Sequence, residues 1–275
     1  QLYGEVGRAF RNQATGHLGV LLRWNQDYTW RDAEGQPHTN TLRDPSFTRL
    51  FAYASSTDWR TFSEPTVIFA PDEQDEGETQ FYSMSNVLYR GGYYLAALAI
   101  LRDDLQAPST AAEVYSRALE QTFPVYGTGY TVLAWSRDGE HWQRDRHTDP
   151  FFEPAADPQA WDHAHAWIDS LVPRGDLYYL FYGGYQYGHK VYVDRQIGLA
   201  FLERDRFVAQ TASEKLGALR TVPLVSAGSL ALNVDASQGA VHVQVLDDEG
   251  IPIPGFAYGE CQPITANNFE VPVEC

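Results

Sequence analysis

Ser55-Ser56-Thr57-Asp58-Trp59, Ser136-Arg137-Asp138-Gly139-Glu140-His141-Trp142 and Glu203-Arg204-Asp205-Arg206-Phe207 are three turns of one kind. Each closes a segment of similar layout: a polar or aromatic strand, an apolar aromatic-rich strand, a short strand into the turn, then a last strand. Trp142 lies 83 residues after Trp59, and Phe207 lies 65 after Trp142. An all-β unit repeated at such spacing predicts propeller blades, which hold ligands at one end of a central channel.

Outward from the turns, the blades are expected at 1–70, 71–153 and 154–213. In the first, Leu2–Phe10 and His17–Trp24 pair around Gln13-Ala14-Thr15-Gly16, and Thr48–Ala54 and Phe62–Phe69 complete the sheet. Between them Asn25–Ser46 reads as a long polar loop, a length more often functional than not. In the second, Gln80–Leu88 and Tyr93–Leu101 flank Gly91-Gly92, and Thr110–Leu119 reads as a short helix within an insertion. In the third, Asp162–Leu171 pairs with Leu177–Tyr185, followed by Gln196–Leu202 and Phe207–Thr211. After Ser213 aromatics thin out. Leu219–Val225, Leu230–Asp235 and Ala240–Leu246 alternate as strands of a small β-sandwich over 214–275.

Composition narrows the function classes. Aromatics make up 14% of 275 residues, with 17 Tyr, 14 Phe and 7 Trp against one Met. That favours strands and suits stacking on sugar rings. A formal charge of -16 disfavours nucleic acid and anionic membranes as partners. It also weighs against a sulfated or uronic-acid substrate. No apolar run is long enough for a transmembrane helix. Cys261 and Cys275 are either disulfide-bonded or free. No leader opens the chain, which begins at Gln1, so secreted, periplasmic and cytoplasmic locations all stay open.

Several segments carry a resemblance: Thr39-Asn40-Thr41-Leu42-Arg43-Asp44-Pro45, Gln80-Phe81-Tyr82-Ser83-Met84, Ser136-Arg137-Asp138-Gly139 with Trp142, Trp161-Asp162, Phe181-Tyr182-Gly183-Gly184-Tyr185, and Val245-Leu246-Asp247 to Gly250 with Pro254-Gly255-Phe256. In these the chain resembles bacterial proteins similar to the five-bladed propeller glycosidases of invertase, levanase and arabinanase type, with a C-terminal β-sandwich. The resemblance implies five blades where three are visible. Either the chain lacks blades, or a second copy or partner chain completes the propeller, or the sheets close differently. It also implies three acidic residues on different blades, one in an Arg-Asp-Pro motif that Arg43-Asp44-Pro45 matches by letters.

Glycoside hydrolysis needs two carboxyl groups, one as acid and one as base or nucleophile. Strands that open each blade line the channel, placing Arg8, Gln80, Tyr82, Asp162, His163 and His165 near the axis. The catalytic candidates are Asp162, Glu78, Asp44 and Asp27. The substrate-binding candidates are Gln80, Tyr82, His163, His165, Tyr185, His189 and Arg23. Two further readings stand beside hydrolysis. One is a non-catalytic carbohydrate-binding propeller. The other is a metal-dependent enzyme on His163 and His165, which share one face of an ideal strand opposite Asp162. No cofactor is expected, with calcium on the acidic loop Pro71–Thr79 as the exception.

Overall fold

The computed structural model describes residues 2–27, 29–31, 35–39, 48–107, 127–145, 150–191, 194–213, 215–225 and 228–275. Over these the protein is all-β, with fifteen strands and no helix. Accordingly, none of the described residues form a helix long and apolar enough to cross a membrane. The helix expected at Thr110–Leu119 and the motif Arg43-Asp44-Pro45 lie outside the described residues.

Contacts divide the chain into two units: 1–172 with 179–201, and 173–178 with 202–275. In the larger unit, β1 (Leu2–Arg11), β2 (Leu18–Gln26), β5 (Thr48–Ser56) and β6 (Thr66–Phe69) form an antiparallel meander in chain order. The predicted loop between β2 and β5 is partly structured: β3 (Thr29–Arg31) and β4 (Pro37–Thr39) pair as a small hairpin. A second meander joins β7 (Thr79–Arg90), β8 (Tyr93–Arg102), β9 (Thr128–Ser136) and the short β10 (Trp142–Arg144). The edge of β9 is shared. Its end at 134–136 pairs with β10, while Gly129 at its start pairs in parallel with His165 of β11 (His165–Arg174). Thr131 stitches that seam, its hydroxyl donating to the Ala166 carbonyl and accepting from the Ile168 amide. Beyond β11 come β12 (Leu177–Tyr185) and the outermost strand β13 (Arg195–Glu203).

The main core lies between the two meanders. Leu21, Phe51 and Tyr53 of one meet Phe81, Met84, Tyr94, Leu98, Ile100 and Trp142 of the other. Residues 21, 51 and 53 share one sheet face because successive side chains alternate. Each large apolar side chain so buried contributes about 1.5–3 kcal/mol. A polar pin crosses the same interface. The Tyr94 hydroxyl donates to Asn12 Oδ1, and Asn12 Nδ2 donates to the Asp138 carbonyl.

Two of the three signature turns prove to be superposable in hydrogen bonding, in a register the letters concealed. Ser56 Oγ accepts from the amides of Asp58 and Trp59, and Asp58 Oδ1 from those of Arg60 and Thr61. Ser136 Oγ accepts from Asp138 and Gly139, and Asp138 Oδ1 from Glu140 and His141. Trp59 is therefore the counterpart of Gly139, not of Trp142. Both sit at positive φ, 63° and 76°. Trp142 is buried and donates from its indole to the Gly139 carbonyl, whereas Trp59 stands 68% exposed.

The smaller unit is less regular than its sequence alternation predicts. Apart from the ends of β11, β12 and β13 that fall in it, only β14 (Ala231–Asp235) and β15 (Asn267–Pro272) pair as strands among its described residues. Leu219–Val225 forms no strand and its aliphatic side chains are exposed. Ala240–Leu246 contributes single bridges, Val241 to Ile264 and Leu246 to Pro252. Phe207–Thr211 is likewise not a strand. Alternation alone does not bury a face; a partner sheet must supply one. What organises this unit is polar. Arg206 donates to Asn233 and Asn267 side chains and pairs with Glu203, and Cys261 is disulfide-bonded to Cys275.

Candidate functional site

The site is built around a displaced tyrosine. Along β7 and β8, Phe81 pairs with Ile100 and Ser83 with Ala99, so Tyr82 is the extra residue of a β-bulge. A bulge re-aims a side chain and is common beside active sites. Phe81 stays in the main core while Tyr82 joins Ala99, Leu101 and Trp167 on the other face of the sheet. Trp167 stacks on Tyr82 with centroids 4.3 Å apart and donates from its indole to the Ile100 carbonyl. The guanidinium carbons of Arg23 and Arg49 lie over the Tyr82 ring at 4.8 and 5.1 Å.

The aromatic group continues along β11 and β12. His165, two residues before Trp167 and on its face, meets Trp167 edge-on at 4.1 Å and stacks on Tyr185 at 4.8 Å and His189 at 5.7 Å. His189 reaches back to Tyr82 at 4.8 Å, and Arg195 covers Tyr185 at 4.3 Å. Gly129 makes this possible. A Cβ there would lie 2.5 Å from His165 Nε2 and 2.6 Å from Trp167 Nε1. His165 is fully buried, and neither ring nitrogen has a hydrogen-bond partner among the described residues. Burial, then the Arg195 charge, lowers its pKa to about 3, so the imidazole is neutral. Tyr82, Tyr185 and His189 are half-buried, and through them the cluster reaches solvent.

Buried polar contacts brace the inner end. Arg49 donates to Gln80 Oε1, Gln80 Nε2 donates to Asp103, and Lys190 pairs with the same carboxylate at 2.7 Å. Asp103 and Gln80 are inaccessible to solvent. Gln80 is thus a strut between two charged groups. Asp169 continues the face of His165 and Trp167; desolvation holds its carboxyl above the ordinary range, against the opposing Arg8 charge.

The remaining candidates are dispersed. Strand β11 begins at His165, so Asp162 and His163 lie in the turn before it. Asp162 accepts a hydrogen bond of 2.8 Å from the Tyr182 hydroxyl, which is pushed up to about 12 by burial and then by that carboxylate. Tyr182 and Gly184 alternate with Tyr185 along β12, so Asp162 lies across the sheet from the aromatic cluster. His163 Nδ1 is 2.8 Å from the Ala155 carbonyl. The two histidines serve different neighbours, and among the described residues no three His, Cys, Asp or Glu side chains gather as a metal site. Glu78 precedes β7 and has a solvent-shielded carboxylate oxygen. Asp27 is exposed beyond the end of β2, and Asp44 lies outside the described residues. Two arginines engage the acidic loop: Asp75 accepts from both terminal nitrogens of Arg144, and the exposed Glu76 pairs with Arg102.

Sequence reasoning did not single out Arg49, Asp103, Lys190 or Arg195. Asp103 and Lys190 are 87 positions apart, and nothing local to either announces the pairing. Arg49 could have been found, since an arginine in a strand directly before the apolar run Leu50–Ala54 has to face something polar.

No protein-family model matches the sequence, and no curated protein does. Among solved structures the chain is similar to one described as a glycoside hydrolase, with a TM-score of 0.43 and 11% identity over 76% of this chain and 49% of that one. It is similar also to a BT0996 complex with RGII, at 0.43 and 12% over 78% and 47%. A third similarity is to a β-1,2-mannobiose phosphorylase from Listeria innocua complexed with β-1,2-mannobiose, at 0.32 and 10% over 76% of each chain. The chain spans about half the length of the first two structures it matches.

Proposed function

We propose that the chain acts on a saccharide bound against Tyr82, Trp167 and Tyr185, and that the action is glycoside hydrolysis. The observation that carries the reading is the bulge at Tyr82. It takes an aromatic ring off the core face and sets it, with Trp167, among arginines and a histidine. Such a surface has an apolar body and a polar rim, as sugar rings require. Asp169 is the carboxyl group suited to act as the acid, because it shares the His165–Trp167 face, is exposed at its end, and is held above the ordinary range. Glu78, at the start of the strand that carries Tyr82, is the partner carboxylate in this assignment. Asp162, across the sheet and bonded to Tyr182, and Asp103, buried and engaged by Lys190, stand outside this assignment.

A second reading, saccharide binding without cleavage, is favoured by those same engaged carboxylates. A panel of oligosaccharides, assayed by calorimetry and by release of reducing ends, separates the two. Hydrolysis predicts product formation lost by at least a hundredfold in Asp169→Asn with binding retained. Binding without product release in the unaltered protein selects the second reading. No saccharide binding by the protein, or binding unaffected by Tyr82→Ala, overturns both.

A further inference from the structure

Arg23 is the least explained group in the larger unit. It sits on the face of β2 that carries Leu21, opposite Phe51 of β5, and is 6% exposed. Its guanidinium lies over Tyr82. Among the described residues its Nε has no hydrogen-bond partner, and no carboxylate forms an ion pair with it. Two positions along on the same face, Asn25 Oδ1 is also shielded and without a partner among those residues. Stacking on a ring offsets only part of the cost of withdrawing a guanidinium from water. Elsewhere near the site charges are matched: Lys190 answers Asp103, and Arg49 binds the Gln80 carboxamide. Arg23 is a fork of donors held in place beside the aromatic platform, and planar forks of this kind suit carboxylate and phosphate oxygens.

We propose that Arg23 holds an oxyanion carried by the saccharide, so that the substrate class is acidic: a uronic-acid carboxylate or a sugar phosphate. This rests on the saccharide reading above and specifies it. The anion accepts hydrogen bonds from Arg23 while the sugar ring that bears it packs against the half-buried Tyr82 and Tyr185, with Trp167 behind Tyr82, and Asn25 is placed to meet a hydroxyl. The acidic surface of the chain and this cationic recess are compatible, because the recess acts at contact distance while the surface charge is screened over about 10 Å in 0.1 M salt.

The test is calorimetry and tryptophan fluorescence on the full chain with four probes: an oligogalacturonate, a neutral manno-oligosaccharide of equal length, glucose 6-phosphate and inorganic phosphate. The expected result is that an acidic saccharide binds at least tenfold more tightly than the neutral one. That preference is lost in Arg23→Gln and partly kept in Arg23→Lys. Preference for oligogalacturonate identifies a carboxylate, and preference for glucose 6-phosphate a phosphate ester. Equal binding of acidic and neutral saccharides by the unaltered protein overturns the inference and leaves the saccharide reading standing. Binding of inorganic phosphate that is lost in Arg23→Gln, with no saccharide bound, supports the oxyanion site and removes the saccharide reading. No binding of any probe removes both.

Discussion

His165 makes the protein acid-sensitive in a definable window. Its folded pKa is about 3 against an ordinary 6.5, because the ring is fully buried beside Arg195. Above pH 6.5 both folded and unfolded chains carry a neutral imidazole, and its full contribution is present. As pH falls below 6.5 the unfolded chain takes up a proton that the folded one refuses. Stability therefore drops, levelling off only near pH 3. At pH 4.5 the loss is about 3 kcal/mol, using roughly 1.4 kcal/mol per pKa unit. Carboxylates depressed in the fold, Asp58 and Asp138 among them, release their contribution below their ordinary 3.8. Within 6.5 to 4.5 the raised Asp169 carboxyl acts in the opposite sense, adding stability as pH falls, and it is common to the native protein and His165→Gln. Urea unfolding at half-unit steps should therefore show the native stability falling by that amount relative to His165→Gln. A native-minus-variant difference that changes by less than about 1 kcal/mol over that range refutes the argument. If the variant does not fold, the His165 ring resonance of the native protein should show no titration above pH 4.5.

Other expectations follow from single positions. Trp59→Gly should raise stability by about 0.5–1 kcal/mol in thermal unfolding, since a bulky exposed residue at positive φ is replaced by the one its twin turn uses. Gly129→Ala should lower stability by about 2–3 kcal/mol, because its methyl group meets His165 and Trp167. Reducing the Cys261–Cys275 bond, which closes a separation of 14 residues, should cost about 3 kcal/mol, read as loss of protection from proteolysis in 202–275 with the larger unit unaffected.

Much of the larger unit was legible because its strands are apolar, aromatic-rich runs bounded by turn residues. The runs of β2, β5, β8 and β12 and the Gly91-Gly92 turn are local signals, and each element lies within a residue or two of its expected place. The register of the signature turns was misread for a physical reason. Matching tryptophans by letter ignored that serine and aspartate oxygens define such a turn, and these align Trp59 with Gly139. The start of β11 was misplaced because Asp162 and His163 alternate like a strand but spend their polar groups on Tyr182 and Ala155. At the site, Tyr82, His165, Tyr185, His189 and Arg23 were named from the sequence and lie in one cluster. Their bracing by Gln80, Asp103 and Lys190 depends on contacts between distant segments and left no local trace. In the smaller unit alternation misled, since Leu219–Val225 forms no strand and its side chains are exposed.

The bulge in β7 gives chain length itself a role in recognition. Removing Tyr82 would leave Phe81 opposite Ile100 and Ser83 opposite Ala99, so the strands keep their register on both sides and no neighbour changes face. The irregularity between Ser85 and Leu88 would remain. A one-residue deletion here would therefore take away the ring while sparing the sheet, whereas a deletion at a regular position of the strand would turn over every residue on one side of it. Insertions and deletions, rarely tolerated in strands, are at this place the sharpest probe of whether the aim of one ring sets what the protein can bind.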